Sequence, residues 1–262
     1  MPRYAIVSDI HANLEALTAV LDDLAGVDVD ARLCLGDVIG YGPDPAACVD
    51  IATDVFDAIL MGNHEDAALR DSALRRFNER ARAAIHFTRG ALTSDHLNEI
   101  ASWPFAMALD DLQIAHGSFG PDPYEYVYSQ AGAARCFDGF DAPFGAIGHT
   151  HTPGVFVASP APSHARVSVR SAAVLTQPST VRIHRAADEP TLTFDRDDRV
   201  LLNPGAVGQP RDRNPDASYA LLDTGARTLE IRRVPYDVER TARKIIDAGL
   251  PERLAQRIRL GA

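Results

Sequence analysis

Ala5-Ile6-Val7-Ser8-Asp9-Ile10-His11 opens the series that decides the fold: a short apolar run ends in a carboxylate and an imidazole. The arrangement returns four times. Leu33-Cys34-Leu35 precedes Gly36-Asp37, and Ile59-Leu60-Met61 precedes Gly62-Asn63-His64. Leu112-Gln113-Ile114-Ala115 precedes His116-Gly117, and Ala146-Ile147 precedes Gly148-His149-Thr150-His151. Short apolar runs bounded by turn residues read as buried strands. Ligands of open α/β sheets bind beyond the carboxyl ends of the strands, so five strands ending this way gather their polar side chains at one edge.

Working outward, Asn13 can cap a helix whose Leu14, Leu17, Val20, Leu21 and Leu24 keep helical spacing. Residues 45–52 offer a second, short helix before the third strand at 58–61. This β-α-β-α-β order, with right-handed crossovers, predicts parallel strands. Residues 72–92 read as one amphipathic helix through Leu74, Phe77, Ala81, Ala84, Ile85 and Leu92. Thr93 or Ser94 caps the next one. Residues 106–109 and 112–115, parted by Asp110-Asp111, read as a hairpin. A β-rich insertion at 155–200 carries short runs at 167–169, 180–183, 191–194 and 200–202, able to extend a second sheet or to pair with another subunit in an oligomer. Strands at 217–222 and 228–234 follow. C-terminal helices at 237–260 are interrupted by Gly249-Leu250-Pro251, because Gly stops one helix and Pro suits the first turn of the next. One domain over 1–262 is expected.

A hydrophobic fraction of 46% with 24% charged residues is enough for a full core. The net charge of −10, without a basic cluster, argues against a sequence-independent grip on nucleic-acid backbones and leaves a small phosphorylated substrate as the expected partner. Cys34, Cys48 and Cys136 lack Cys-x-x-Cys spacing and suggest no disulfide framework. The chain enters a strand at once and no apolar run reaches about 18 residues, so a cytoplasmic protein without a membrane partner is expected.

Asp9, His11, Asp37, Asn63, His116, His149 and His151 are seven oxygen and nitrogen donors, a set that suits hard or borderline divalent ions. Seven is too many for one ordinary ion. Two ions sharing Asp37 resolve the excess, with Mn²⁺ expected first and Fe²⁺, Zn²⁺ or Ni²⁺ as alternatives. Asp37 ends the central member of the first three strands and is the natural bridge. His11 and His151 then serve the Asp9 ion, and Asn63, His116 and His149 serve the other. Strand alternation in His149-Thr150-His151 puts both imidazoles on one side. Paired ions about 3.5–4 Å apart activate a water near neutral pH and stabilise attacking and leaving oxygens, which predicts in-line hydrolysis of a phosphate ester. His64 is assigned with Asp37 to catalysis, protonating the leaving oxygen or steadying phosphoryl charge, with Glu65 or Asp66 to orient its ring.

Ser8-Asp9-Ile10-His11, Gly36-Asp37, Gly62-Asn63-His64-Glu65, His116 and Gly148-His149-Thr150-His151 resemble, in order, the five blocks of the calcineurin-like metallophosphoesterase superfamily. Within it, Gly40-Tyr41-Gly42-Pro43-Asp44-Pro45 and Asn203-Pro204-Gly205-Ala206-Val207-Gly208-Gln209-Pro210-Arg211-Asp212 resemble the prokaryotic phosphodiesterase branch typified by YfcE-like proteins. The resemblance implies an α/β (α+β) fold, a four-layer αββα sandwich of two mixed β-sheets flanked by helices, with the dinuclear metal site at the strand C-terminal ends. Protein phosphatases of the superfamily carry Gly-Asp-x-x-Asp-Arg-Gly in the second block. Here Gly36-Asp37-Val38-Ile39-Gly40-Tyr41-Gly42 lacks the Arg, which disfavours that activity.

The expected function is therefore a phosphodiesterase acting on a small or nucleotide-like ester. Dinucleoside polyphosphate hydrolysis and phosphomonoester hydrolysis are alternatives on the same site. A non-catalytic protein-binding scaffold is the alternative of another class, disfavoured because every ligand is present. Asn13, Tyr41, Asn203 and Arg211 are candidate substrate contacts, Arg211 because a guanidinium matches phosphate oxygens in pairs. His86, His96, His164 and His184 fall outside the blocks.

Overall fold

The computed structural model describes residues 2–160, 180–185 and 191–262. β1 (Arg3–Val7) leads into α1 (Leu14–Leu24), where the Asn13 side chain accepts the Ala16 N–H at 3.1 Å. β2 (Ala31–Cys34), α2 (Pro45–Val55) and β3 (Ala58–Ile59) complete the β-α-β-α-β run, and the three strands pair in parallel. Next come α3 (Asn63–Leu69), α4 (Asp71–Leu74), α5 (Glu79–Ala91) and α6 (Ser94–Ser102).

The single helix expected over 72–92 is two. Asn78 adopts extended backbone and accepts the Ala81 N–H at 3.0 Å, so a local side-chain bond restarts the helix where periodicity alone runs on. Thr93 caps α6. The hairpin is β4 (Ala106–Ala108) and β5 (Leu112–Ala115), followed by α7 (Gln130–Phe137), β6 (Phe144–Ala146) and β7 (Gly154–Ser159). β8 (Thr180–Arg185), β9 (Thr191–Thr193), β10 (Arg199–Asn203), β11 (Ala217–Asp223) and β12 (Thr228–Val234) precede α8 (Val238–Asp247) and α9 (Glu252–Leu260).

Two mixed six-stranded sheets result, ordered β3-β2-β1-β11-β12-β9 and β4-β5-β6-β10-β7-β8. The five strands that end in polar groups thus divide between them, three in the first sheet and β5 and β6 in the second. The β-rich insertion divides as well. β7, β8 and β10 extend the second sheet, whereas β9 pairs antiparallel with β12 in the first and buries Leu192 between the sheets. The run at 167–169 lies outside the described residues.

Alternation along the strands builds the layers. Tyr4 and Ile6 of β1 face Ile114, Phe144, Val157 and Leu202 of the second sheet, while Ala5 and Val7 face α1 and α2. On the far side, Phe156, Ala158 and Leu201 pack against Ala133, Cys136 and Phe137 of α7. The order is helix, sheet, sheet, helix. α8 and α9 bury Ile245, Leu254 and Ile258 in a separate cluster that backs Tyr41, and Thr241 and Lys244 bond Glu15 of α1.

Candidate metal centre

The loops after β1 and β2 are joined by backbone hydrogen bonds, Asp9 N–H to Gly36 O at 3.0 Å and His11 N–H to Asp37 O at 2.9 Å. Asp9, His11, Asp37, His149 and His151 all take positive φ, between 50° and 65°. Such backbone costs about 1–3 kcal/mol per residue and persists where its surroundings over-determine it. The motif glycines keep those surroundings close. A Cβ on Gly62 would fall on Asp37 Oδ1, and one on Gly148 would fall on Ser8 Oγ.

The positive φ corrects the expectation for His149-Thr150-His151. His149 and His151 take left-handed backbone after β6 instead of continuing as a strand, yet each imidazole still reaches a different donor group. His149 Nδ1 lies 3.2 Å from His116 Nε2, and His151 Nε2 lies 3.1 Å from His11 Nε2.

Each aspartate uses one oxygen on a backbone amide. Asp9 Oδ2 accepts the His149 N–H at 3.0 Å, and Asp37 Oδ1 accepts the His64 N–H at 2.9 Å. The other oxygens face the imidazoles: Asp9 Oδ1 is 3.3 Å from His151 Nε2, and Asp37 Oδ2 is 3.7 Å from His11 Nε2 and 3.4 Å from His116 Nε2. Two buried donor groups follow, Asp9, His11, Asp37 and His151 in one and Asp37, His116 and His149 in the other, each with its donor atoms within 4.8 Å of one another. Asn63 Oδ1, 3.2 Å from His116 Nε2, joins the second.

The outer ring nitrogens determine the tautomers. Nδ1–H donates to Ile39 O from His11 at 3.1 Å, to Leu35 O from His116 at 2.9 Å and to Gln209 O from His151 at 2.6 Å. The Nε2 atoms of His11 and His151 therefore direct lone pairs inward. Two such lone pairs 3.1 Å apart, on His11 and His151, repel unless a cation lies between them. Asp9 Oδ1, buried beside them, has no hydrogen-bond partner among the described residues. An all-nitrogen-and-oxygen set in this state fits divalent metal ions.

Burial pushes His11, His151 and His149 down, the last to about 3, which keeps them neutral and able to ligate. Burial raises Asp9 to about 7. It also acts to lower His116, yet the Asp37 charge and hydrogen bond bring that imidazole up to about 9. Against burial, the charges of His116 and His64 hold Asp37 below the usual carboxylate range. A proton and a cation thus compete for the Asp37–His116 pair.

His64 sits beside this centre, its ring centroid 4.4 Å from Tyr41, 4.7 Å from His11 and 4.8 Å from Phe77. Packing orients it, and burial lowers it to about 4. Neither acidic neighbour bonds its ring. The Glu65 carboxylate instead accepts N–H groups from Asp37 at 2.9 Å, Ile39 at 3.1 Å and Gly62 at 2.8 Å, clamping two ligand loops together. Gly62-x-x-Glu65 has the spacing at which a glutamate reaches back to a helix start, the signal that could have shown this. Asp66 accepts from the Tyr124 hydroxyl at 3.2 Å and pairs with Arg70.

Two of the four expected substrate contacts are committed internally. Asn13 caps α1 and donates to Gly208 O at 2.9 Å and to the Tyr236 hydroxyl at 3.1 Å. Asn203 donates to Gly148 O at 2.7 Å and Thr150 Oγ1 at 3.0 Å while accepting the Gly205 N–H at 2.9 Å, so it buckles the turn that carries both histidines. Tyr41 packs on His11 and His64. Arg211 bonds Gln209 Oε1 at 3.2 Å, and its charge acts on Asp9, His11, His64, His149 and His151.

A cleft of about 850 Å³ opens over the second donor group, with Asn63 and His149 on its floor and Tyr41, Phe77, Tyr124 and Tyr126 in its walls. Tyr124, Tyr126 and their neighbour Tyr128 are not among the residues expected at the site. Their alternation in Tyr124-Glu125-Tyr126-Val127-Tyr128, shortly after His116, was the available signal.

The comparisons with known proteins agree with this construction. Residues 3–227 match the calcineurin-like phosphoesterase superfamily domain. An uncharacterized protein of Methanocaldococcus jannaschii is 32% identical over 262 residues, 98% of this chain and 97% of that one. A metallophosphoesterase from Sphaerobacter thermophilus is 36% identical, with 100% of this chain and 99% of that chain covered at a TM-score of 0.80. A hypothetical protein from Pyrococcus horikoshii OT3 shares the fold at a TM-score of 0.74, with 15% identity and 99% and 98% coverage. The chain belongs to the calcineurin-like phosphoesterase superfamily and is a phosphoric ester hydrolase of a family that uses divalent metals.

Proposed function

We propose that this hydrolase is a phosphodiesterase for a small or nucleotide-like phosphate ester, with Mn²⁺ as its ion and residues 1–262 as one catalytic domain. The observation that carries the reading is Asp37, shared by two buried donor groups. Asp9, His11, Asp37 and His151 would hold one ion, and Asp37, Asn63, His116 and His149 the other. When bound, the ions supply Lewis-acid charge to the phosphoryl group and a nucleophile at neutral pH. The side chains around them do the rest. Arg211 offsets phosphate charge, His64 donates an N–H towards the leaving oxygen, and the enclosing Tyr41 and Phe77 rings strengthen that bond by keeping water away. The missing arginine of the second block supports a diester over a phosphoprotein. Three free, buried cysteines support a cytoplasmic setting.

The test is metal-free protein reloaded with Mn²⁺, Ni²⁺, Zn²⁺ or Mg²⁺ and assayed on bis-p-nitrophenyl phosphate and p-nitrophenyl phosphate. Diester turnover that exceeds monoester turnover, highest with Mn²⁺, is the expected result. Inactivity with every metal would move the assignment to a scaffold.

A further inference from the structure

Six large hydrophobic side chains stand exposed among the described residues, and three of them gather at the cleft: Phe105, Tyr126 and Tyr128. Phe105 and Tyr126 line it, and Tyr128 continues the Tyr126 ring outward. Apolar surface concentrated at the mouth of a polar site marks a place where something binds.

The segment at 126–128 is anchored by its middle residue. Val127 is buried among Ala133, Cys136 and Phe137, so Tyr126 and Tyr128 both face out, 51% and 57% exposed. Their rings are parallel within 1° with centroids 5.9 Å apart, and Tyr126 lies over His149 at 4.1 Å and 24°. A stair of three rings therefore climbs from a metal ligand to the surface. It is held in place: the Tyr128 hydroxyl donates to Thr150 O at 3.3 Å, the Ser118 N–H donates to Pro123 O at 3.1 Å, and Arg135 pairs with Glu125. Arg211 and Arg257 bring positive charge to the Tyr128 and Tyr41 hydroxyls.

We propose that Tyr126 and Tyr128 form a stacking platform for a planar ring on the group that phosphorus retains, which makes ring-bearing phosphodiesters the preferred substrates. The inference rests on the phosphodiesterase reading, with His64 next to the leaving oxygen. His64 is enclosed by Tyr41 and Phe77, whereas Tyr126 covers His149, so the leaving group belongs beside the first pair and the retained group beside the second. Flat π-faces accept any planar ring, and the adjacent guanidinium groups add favourable charge for the phosphate that carries it.

Thymidine 5′-(p-nitrophenyl phosphate) and methyl p-nitrophenyl phosphate share a leaving group and differ only in the retained one. For the Mn²⁺-loaded protein, kcat/KM should favour the thymidine ester. In Tyr128→Ala and in Tyr126→Ala that preference should fall by about tenfold, mainly through KM, while Tyr126→Phe and Tyr128→Phe keep it. An equal loss on both esters would mean that the rings only steady His149, and would overturn the platform. So would an unchanged preference in the alanine variants. Calorimetry with the two products, thymidine 5′-phosphate and methyl phosphate, reads the platform without turnover. Tighter binding of the nucleotide by wild type, lost in Tyr128→Ala, supports it, and equal affinities overturn it. Hydrolysis of neither ester with any metal would instead overturn the phosphodiesterase reading.

Discussion

Asp37 uses its two oxygens differently: Oδ1 is held by the His64 amide, and Oδ2 faces His11 and His116. Asp37→Asn keeps the shape and removes the charge that two ions would share. The variant should fold, judged by circular dichroism, yet lose bound metal and bis-p-nitrophenyl phosphate turnover together. His64→Ala should keep its metal, read by elemental analysis, and turn over about 10²-fold more slowly, the usual worth of a positioned proton donor. Full activity in either variant would refute the role assigned to it. The seven donors were legible in the sequence because each is a chemically distinctive residue at the end of an apolar run. The cap that Asn13 gives α1 was legible as well, but its bond to Gly208 O and that of Asn203 to Gly148 O were not, because those groups come from segments far along the chain.

At the scale of the element, the sequence pattern located α1, α2, α5 and α6 but not α3, and it ran on through the break at Asn78, which is a side-chain bond and leaves no trace in periodicity. α7 went unread, since its eight residues mix small and polar side chains and carry little apolar pattern. The left-handed turns at His149 and His151 were hidden for a related reason. Strand alternation is a default, and contacts with Ser8, Asp9 and Asn203 override it. α8 and α9 brace the centre from behind through Tyr41. Leu254→Ala empties a position 1% exposed within that cluster and should cost about 2–5 kcal/mol, read as a lower denaturant midpoint at unchanged m-value.

Across the whole molecule, the centre joins what the chain separates. Asp9, His11, Asp37 and Asn63 follow strands of the first sheet, and His116, His149 and His151 follow strands of the second. Ions bridging the two sheets bind only the folded state, so chelation should lower Tm. At free metal about 100-fold above Kd the stabilisation is about 2.7 kcal/mol, or about 5–10 °C for a chain of this size. Scanning calorimetry with and without chelator would show it, and an unchanged Tm would argue that the centre contributes nothing to holding the sheets together. The sequence by itself indicated most of the strands, though not β7, and the cluster of oxygen and nitrogen donors, because apolar period and residue type are local properties. Only the tertiary structure decided how closely the two donor groups close around Asp37, with His11 Nε2 and His151 Nε2 3.1 Å apart, that Glu65 clamps loops and does not orient His64, that β9 crosses to the first sheet, and that tyrosines line the mouth. Those are matters of distance between segments up to 140 residues apart, set by packing that no local pattern encodes.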